Sequence, residues 1–121
     1  MVNARMEILS NEALSKCKAK GIEVYILKNS KANTIAFSTN DRKRREFEVT
    51  FFKDSKYRVS TRFLGYKKAM MESGVRVFED NDPDGRRIRF NANLLDEETL
   101  NMVIANMLDS GFSEKPNVQH C

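Results

Sequence analysis

Residues 46–61 place the tightest limit on what this chain can fold into. Glu46–Phe52 alternates, with Phe47, Val49 and Phe51 on one side and Glu46, Glu48 and Thr50 on the other. Tyr57–Thr61 repeats the pattern, with Tyr57, Val59 and Thr61 on one side and Arg58, Ser60 and Arg62 on the other. The connection decides whether the two apolar sides meet. A two-residue turn at Asp54-Ser55 would set Phe51 against Arg58. A three-residue loop, Lys53-Asp54-Ser55, sets Phe51 against Tyr57, Val49 against Val59 and Thr50 against Arg58. A slip of one residue turns every side chain to the wrong side, so the three-residue loop is the consistent choice. Such an antiparallel hairpin has one face that must be covered and one that water can reach.

Helices supply the cover. In 96–110, Leu100, Val103, Ile104, Met107 and Leu108 form a continuous apolar stripe. Asp96 is placed to cap this helix, Glu97 and Glu98 suit its positive end, and Gly111 ends it. Residues 3–20 read as a first helix, with Met6, Leu9, Ala13 and Cys17 on one stripe and Leu14 beside it. Either Asn3 or Ser10 can cap it. Lys16, Lys18 and Lys20 gather at its negative end, and Gly21 stands where a left-handed residue closes a helix. Residues 64–73 form a short middle helix ended by Gly74, with Leu64, Ala69, Met70 and Met71 as core candidates. Further strands fall at 22–27, with Tyr25 among the outward residues, and at 34–38, with Ile35 and Phe37 inward. The last two span 75–79 and 86–90. There Val75 and Val77 share a side with Ile88 and Phe90, and Arg76, Arg87 and Arg89 take the other.

The resulting order is α-ββββ-α-ββ-α. Segregated strands and helices specify an α+β fold with an antiparallel sheet and helices packed on one face. We expect a single domain over residues 1–112. The stretch 113–121 has no periodicity and is expected to be a disordered tail.

At 121 residues the chain can bury one core. No run approaches the roughly 20 apolar residues that cross a bilayer, and the first ten residues lack the apolar stretch of a secretory signal. Cys17 and Cys121 are the two cysteines, expected as free thiols in a reducing cytoplasm. Charge is unevenly spread. The net +4 divides into +2 over residues 1–41, +6 over 42–89 and −4 from 90 onward. A basic sheet region and an acidic C-terminal helix bear on partners, not on fold.

Catalytic material is scarce. The single histidine, His120, lies in the tail without a held nucleophile, and neither a dinucleotide-binding fingerprint nor a P-loop occurs. No enzymatic activity, metal or cofactor is expected. Asp80, Asp82, Asp84 and Gly85 match the first half of a calcium loop. However, the twelfth position is Asn91 rather than a bidentate glutamate, and Pro83 stiffens the segment, so an acidic hairpin turn is the better account. The basic residues form the stronger pattern. Arg42, Lys43, Arg44 and Arg45 fill a loop, Lys53 and Lys56 a hairpin tip, and Arg86 and Arg87 the start of a strand beside another tip. Arg58, Arg76 and Arg89 join them from the strands. Lys67 and Lys68 sit near a helix start, where the dipole disfavours cations and an anionic partner would offset it. Charged loops at hairpin ends reach phosphates and grooves. A sheet that stacks RNA bases would show exposed aromatics, and only Tyr25, Phe52 and the ambiguous Phe78 qualify. DNA is therefore favoured.

The element order, with Gly65-Tyr66-Lys67 opening the middle helix, resembles the double-wing DNA-binding domains of the MotA family, the middle-promoter transcription activators of T-even bacteriophages. The likeness spans about residues 6–108. It implies a saddle-like sheet that docks on duplex DNA, and a small phage-type regulator in the cytoplasm of a bacterial host cell. Gly65 and Tyr66 are expected to serve the fold. No separate N-terminal activation domain like that family's is expected, so activation of that type does not follow. The same charge polarity also suits a protein-binding module, such as a phage inhibitor whose basic sheet meets an acidic host protein.

Overall fold

The computed structural model describes residues 2–28, 32–81 and 88–113. In chain order its helices and strands are α1 (Asn11–Ala19), β1 (Glu23–Ile26), β2 (Thr34–Thr39), β3 (Arg44–Phe52), β4 (Lys56–Thr61), α2 (Leu64–Glu72), β5 (Phe78–Asn81), β6 (Ile88–Leu95) and α3 (Glu97–Ser110). The strands make one six-stranded antiparallel sheet in the order β1-β2-β3-β4-β6-β5. This is the α+β architecture that the sequence specifies.

The hairpin register is the expected one: Phe51 faces Tyr57, Val49 faces Val59 and Thr50 faces Arg58. The residues Lys53–Ser55 close it as a single tight turn, with Asp54 and Ser55 at positive φ. One side of the sheet carries Ile35, Phe37, Phe47, Val49, Phe51, Tyr57 and Val59, all at most 2% exposed. They pack in one core with the α3 stripe, with Ala13 and Cys17 of α1, and with Ala69 and Met70 of α2. Each large apolar side chain buried this way stabilises the fold by roughly 1.5–3 kcal/mol. The Asp96 carboxylate caps α3 by accepting from the Thr99 amide at 2.8 Å.

Several boundaries differ from the sequence reading for identifiable reasons. Of the two candidate caps for the first helix, Ser10 is used: its hydroxyl accepts from Ala13 N at 3.1 Å. Met6–Ile8 is a separate 3-10 turn. Asn101 of α3 clamps the break, accepting from Ser10 N and donating to Ile8 O, both at 2.8 Å. β5 begins at Phe78 rather than at 75, and Val75 and Val77 lead into it as partly buried residues on the core. β6 continues to Leu95, five residues past the expected end, because Asn91 and Ala92 pair with Ser60 and Val59. Asparagine disfavours strands intrinsically, and tertiary pairing overrides it here.

In α2 the buried residues are Gly65, Tyr66, Ala69 and Met70. Leu64 and Met71, expected in the core, are 43% and 56% exposed. Gly65 is needed because the chain leaving α3 crosses α2 at this point. A Cβ on Gly65 would stand 2.2 Å from Phe112 O.

Candidate nucleic-acid interface

The side of the sheet turned away from the helices is the candidate site. Strand pairing aligns Tyr25, Ala36, Glu48, Ser60, Asn91 and Phe78 in one row across all six strands. At about 4.8 Å per strand the row is about 24 Å long. Its middle is low except at the half-buried Glu48: Ala36, Ser60 and Asn91 are 0%, 4% and 5% exposed. Their small side chains are screened by longer neighbours, and the Ser60 hydroxyl donates to Asn91 Oδ1 at 2.7 Å.

Arginines stand on both sides of this row. Towards one end of the strands, Arg45 pairs with Ser38 and Arg89 with Asp80, and Arg62 follows β4 two residues beyond Ser60. Towards the other end, Arg58 lies opposite Thr50 and its Nε donates to Asn93 Oδ1 at 2.6 Å. Arg58 and Arg62 are four residues apart on an extended chain, hence about 13 Å.

Three guanidinium groups rest on aromatic rings of this face. Arg42 lies 3.8 Å from the Tyr25 centroid, Arg58 4.8 Å from that of Phe52, and Arg76 4.8 Å from that of Phe78. Arg42 also pairs with Glu23 at 2.6 Å. It reaches there from a turn in which Asn40, Asp41 and Arg42 all have positive φ. Asn and Asp tolerate that conformation, whereas at Arg42 it costs roughly 1–2 kcal/mol. The stacking and the ion pair offset that cost. An arginine held this way loses less side-chain entropy when it meets an anion. The same stacking occupies the ring faces, so Tyr25, Phe52 and Phe78 act as rests for arginines.

The basic run 42–45 does not stay together. Arg44 and Arg45 belong to β3 rather than to a loop, and they point to opposite sides. Arg45 is on the open face, where it pairs with Glu48 at 3.3 Å. Arg44 turns to the helix side, over the Phe63 ring at 4.8 Å, and its Nε donates to Glu46 at 3.2 Å. Lys43 is exposed in the turn, and Lys53 and Lys56 are exposed at the β3–β4 hairpin tip, as expected. Lys67 is on the helix side, beside Glu79 at 3.4 Å and over the Phe90 ring at 4.7 Å. Its offsetting anion therefore comes from the protein itself. Lys68 is exposed on α2. Arg86, Arg87, most of the acidic segment from Asp80 to Gly85, and the tail from 114, with His120 and Cys121, lie outside the described residues.

Glu46 is the largest departure from the sequence reading. Alternation turns it outward, yet it is 3% exposed on the helix side. The register shifts by one between Phe37 and Ser38, so β3 bulges at this residue. The carboxylate is fully partnered: Tyr66 donates its hydroxyl at 2.9 Å, Thr39 at 2.9 Å and Arg44 at 3.2 Å. Burial first, and the Glu46 carboxylate second, push the Tyr66 hydroxyl well above its ordinary pKa. Burial likewise pushes the Cys17 thiol up to about 11. The residues that sequence reasoning did not assign to the site are Arg62, Ser60, Asn91 and the Glu46–Tyr66 pair. For Arg62 a signal existed, because the alternation of β4 already puts it beside Arg58.

Among the described residues no cluster of His, Cys, Asp and Glu could hold a metal ion, and no helix is long and apolar enough to cross a membrane. Comparison with models of protein families, with curated proteins and with solved structures returns no match.

Proposed function

We propose that this chain is a double-wing-like DNA-binding protein without enzymatic activity, and that duplex DNA docks across the open face of the sheet. One observation carries the reading. The sheet face without helices holds Arg42, Arg45, Arg58, Arg62, Arg76 and Arg89, and three of their guanidinium groups are pre-positioned on rings. Phosphate contacts need oriented cations, and they supply most of non-specific affinity. Occupied ring faces favour backbone docking over base stacking. Lys53 and Lys56 extend the surface at the hairpin tip. The MotA-family resemblance adds a setting: a phage regulator of transcription in a bacterial host.

The test is binding of a labelled duplex across a salt series. Four to six phosphate contacts predict a log–log slope of about −4 to −5. Absence of salt-sensitive affinity for duplex and single strands alike would reject the reading. A pull-down from host lysate with nuclease separates it from the runner-up. A partner kept after nuclease treatment would favour an acidic protein.

A further inference from the structure

Where β3 and β4 part beyond the Glu48–Ser60 pair, the open face has a notch. It holds about 60 Å³ and is lined by Arg45, Arg62, Arg89, Glu48 and Ser60, with Glu46, Phe47 and Thr61. The β3 bulge creates it. Glu46 turns inward to Tyr66, Thr39 and Arg44, and that turn aims the adjacent Arg45 at the open face. The strands then diverge, and Thr61 bridges the gap by donating to Glu46 O at 2.9 Å. Three arginines line a space of the size of one small anion, and planar forked donors match phosphate oxygens.

We propose that this notch seats a single phosphate group. The proposal deepens the DNA-binding reading, because it names one anchoring point within that face, but the notch has its own chemistry. Glu48 is a counter-ligand to Arg45. Its carboxylate pairs with Arg45 at 3.3 Å, and an entering phosphate takes its place on that guanidinium. Asp80, opposite Arg89 on β5, also reduces the local charge. The phosphate belongs to a nucleic-acid backbone or to a free or terminal phosphate ester. The shared chemistry is a tetrahedral oxyanion with at least one full negative charge.

The test titrates the full chain with inorganic phosphate while following amide and arginine Nε resonances, with chloride at matched ionic strength as reference. Saturable shifts confined to residues 45–48, 60–62 and 89 are expected. Arg62→Gln should weaken phosphate about tenfold, and Glu48→Gln should strengthen it several-fold. Lys18→Gln, exposed on α1 at the helix side, should leave phosphate binding unchanged. Shifts spread evenly over all surface cations, or an Arg62→Gln variant that titrates like the parent, would overturn the proposal. Duplexes with and without a 5′-phosphate distinguish the sources. Equal competition by phosphate against both points to the backbone, and tighter binding of the phosphorylated end points to a terminal group. Saturation of the notch without any duplex binding would leave the notch standing and remove the DNA-binding reading. Duplex binding without notch saturation would do the reverse.

Discussion

The two faces of this sheet are made from alternate residues of the same strands, yet they follow opposite rules. On the helix side, Phe37, Phe47, Val49, Tyr57 and Val59 fill space and leave almost nothing exposed. On the open side, the middle row is Ala36, Glu48, Ser60 and Asn91, and the bulkier side chains there are Glu48, the arginines and the rings beneath them. Stability should therefore depend on the first face and binding on the second. The bulge at Glu46 is where the two meet, since one residue is pulled into the core so that its neighbour can point out of it.

Phe47→Ala should give the largest effect. Its ring stacks on Phe37 at 4.4 Å and meets Tyr66 edge-on at 5.3 Å, so a cavity of aromatic size should cost about 3–5 kcal/mol in denaturant unfolding. A cost near that of a surface site would mean that the helix face is not the structural one.

Glu46→Ala comes next. It strands the Tyr66 hydroxyl, with a cost of about 1–3 kcal/mol for the buried unsatisfied group. Because the bulge aims Arg45, it should also weaken binding in the fraction that remains folded. Loss of stability with unchanged binding would separate the two faces more sharply than the structure implies.

Alkaline pH probes the core alone. The folded-state values of Cys17 and Tyr66 lie above their unfolded ones, so the folded chain holds these protons more tightly. That contribution is complete below pH 9, the ordinary thiol value, and is lost as pH rises through about 11 for Cys17. Melting temperature should fall over this window, and Cys17→Ala should flatten part of the fall. A flat profile in the parent would contradict the burial of both groups.

Arg58→Ala should give the smallest change in stability, tenths of a kcal/mol, because its partners Asn93 and Phe52 remain partly solvated. Its effect belongs to binding, where losing one phosphate contact lowers the salt slope by about 0.9.

Much of this was legible in the sequence where periodicity and turn chemistry agreed. The β3–β4 register, the α3 stripe with its Asp96 cap, and the left-handed Gly21 all follow from local pattern. Glu46 was not legible, because a bulge breaks the period of two and only the fold brings Tyr66, twenty residues away, to its carboxylate. The extension of β6 was hidden by two asparagines: Asn91 pairs with Ser60 of β4, and Asn93, in the irregular stretch beyond, accepts from Arg58 Nε. For the candidate site, charge gave the right region but not the sides. Alternation separates Arg44 from Arg45, so a run of four basic residues does not act as one patch.

Mapping amide resonances on addition of a short duplex tests the central claim most directly. The account predicts perturbations along Tyr25, Ala36, Glu48, Ser60, Asn91 and Phe78 and the flanking arginines, fading as salt is raised, with α1 and α3 unaffected. Perturbations centred on Lys16, Lys18 and Lys20 of the α1 end, or spread evenly over both faces, would contradict it.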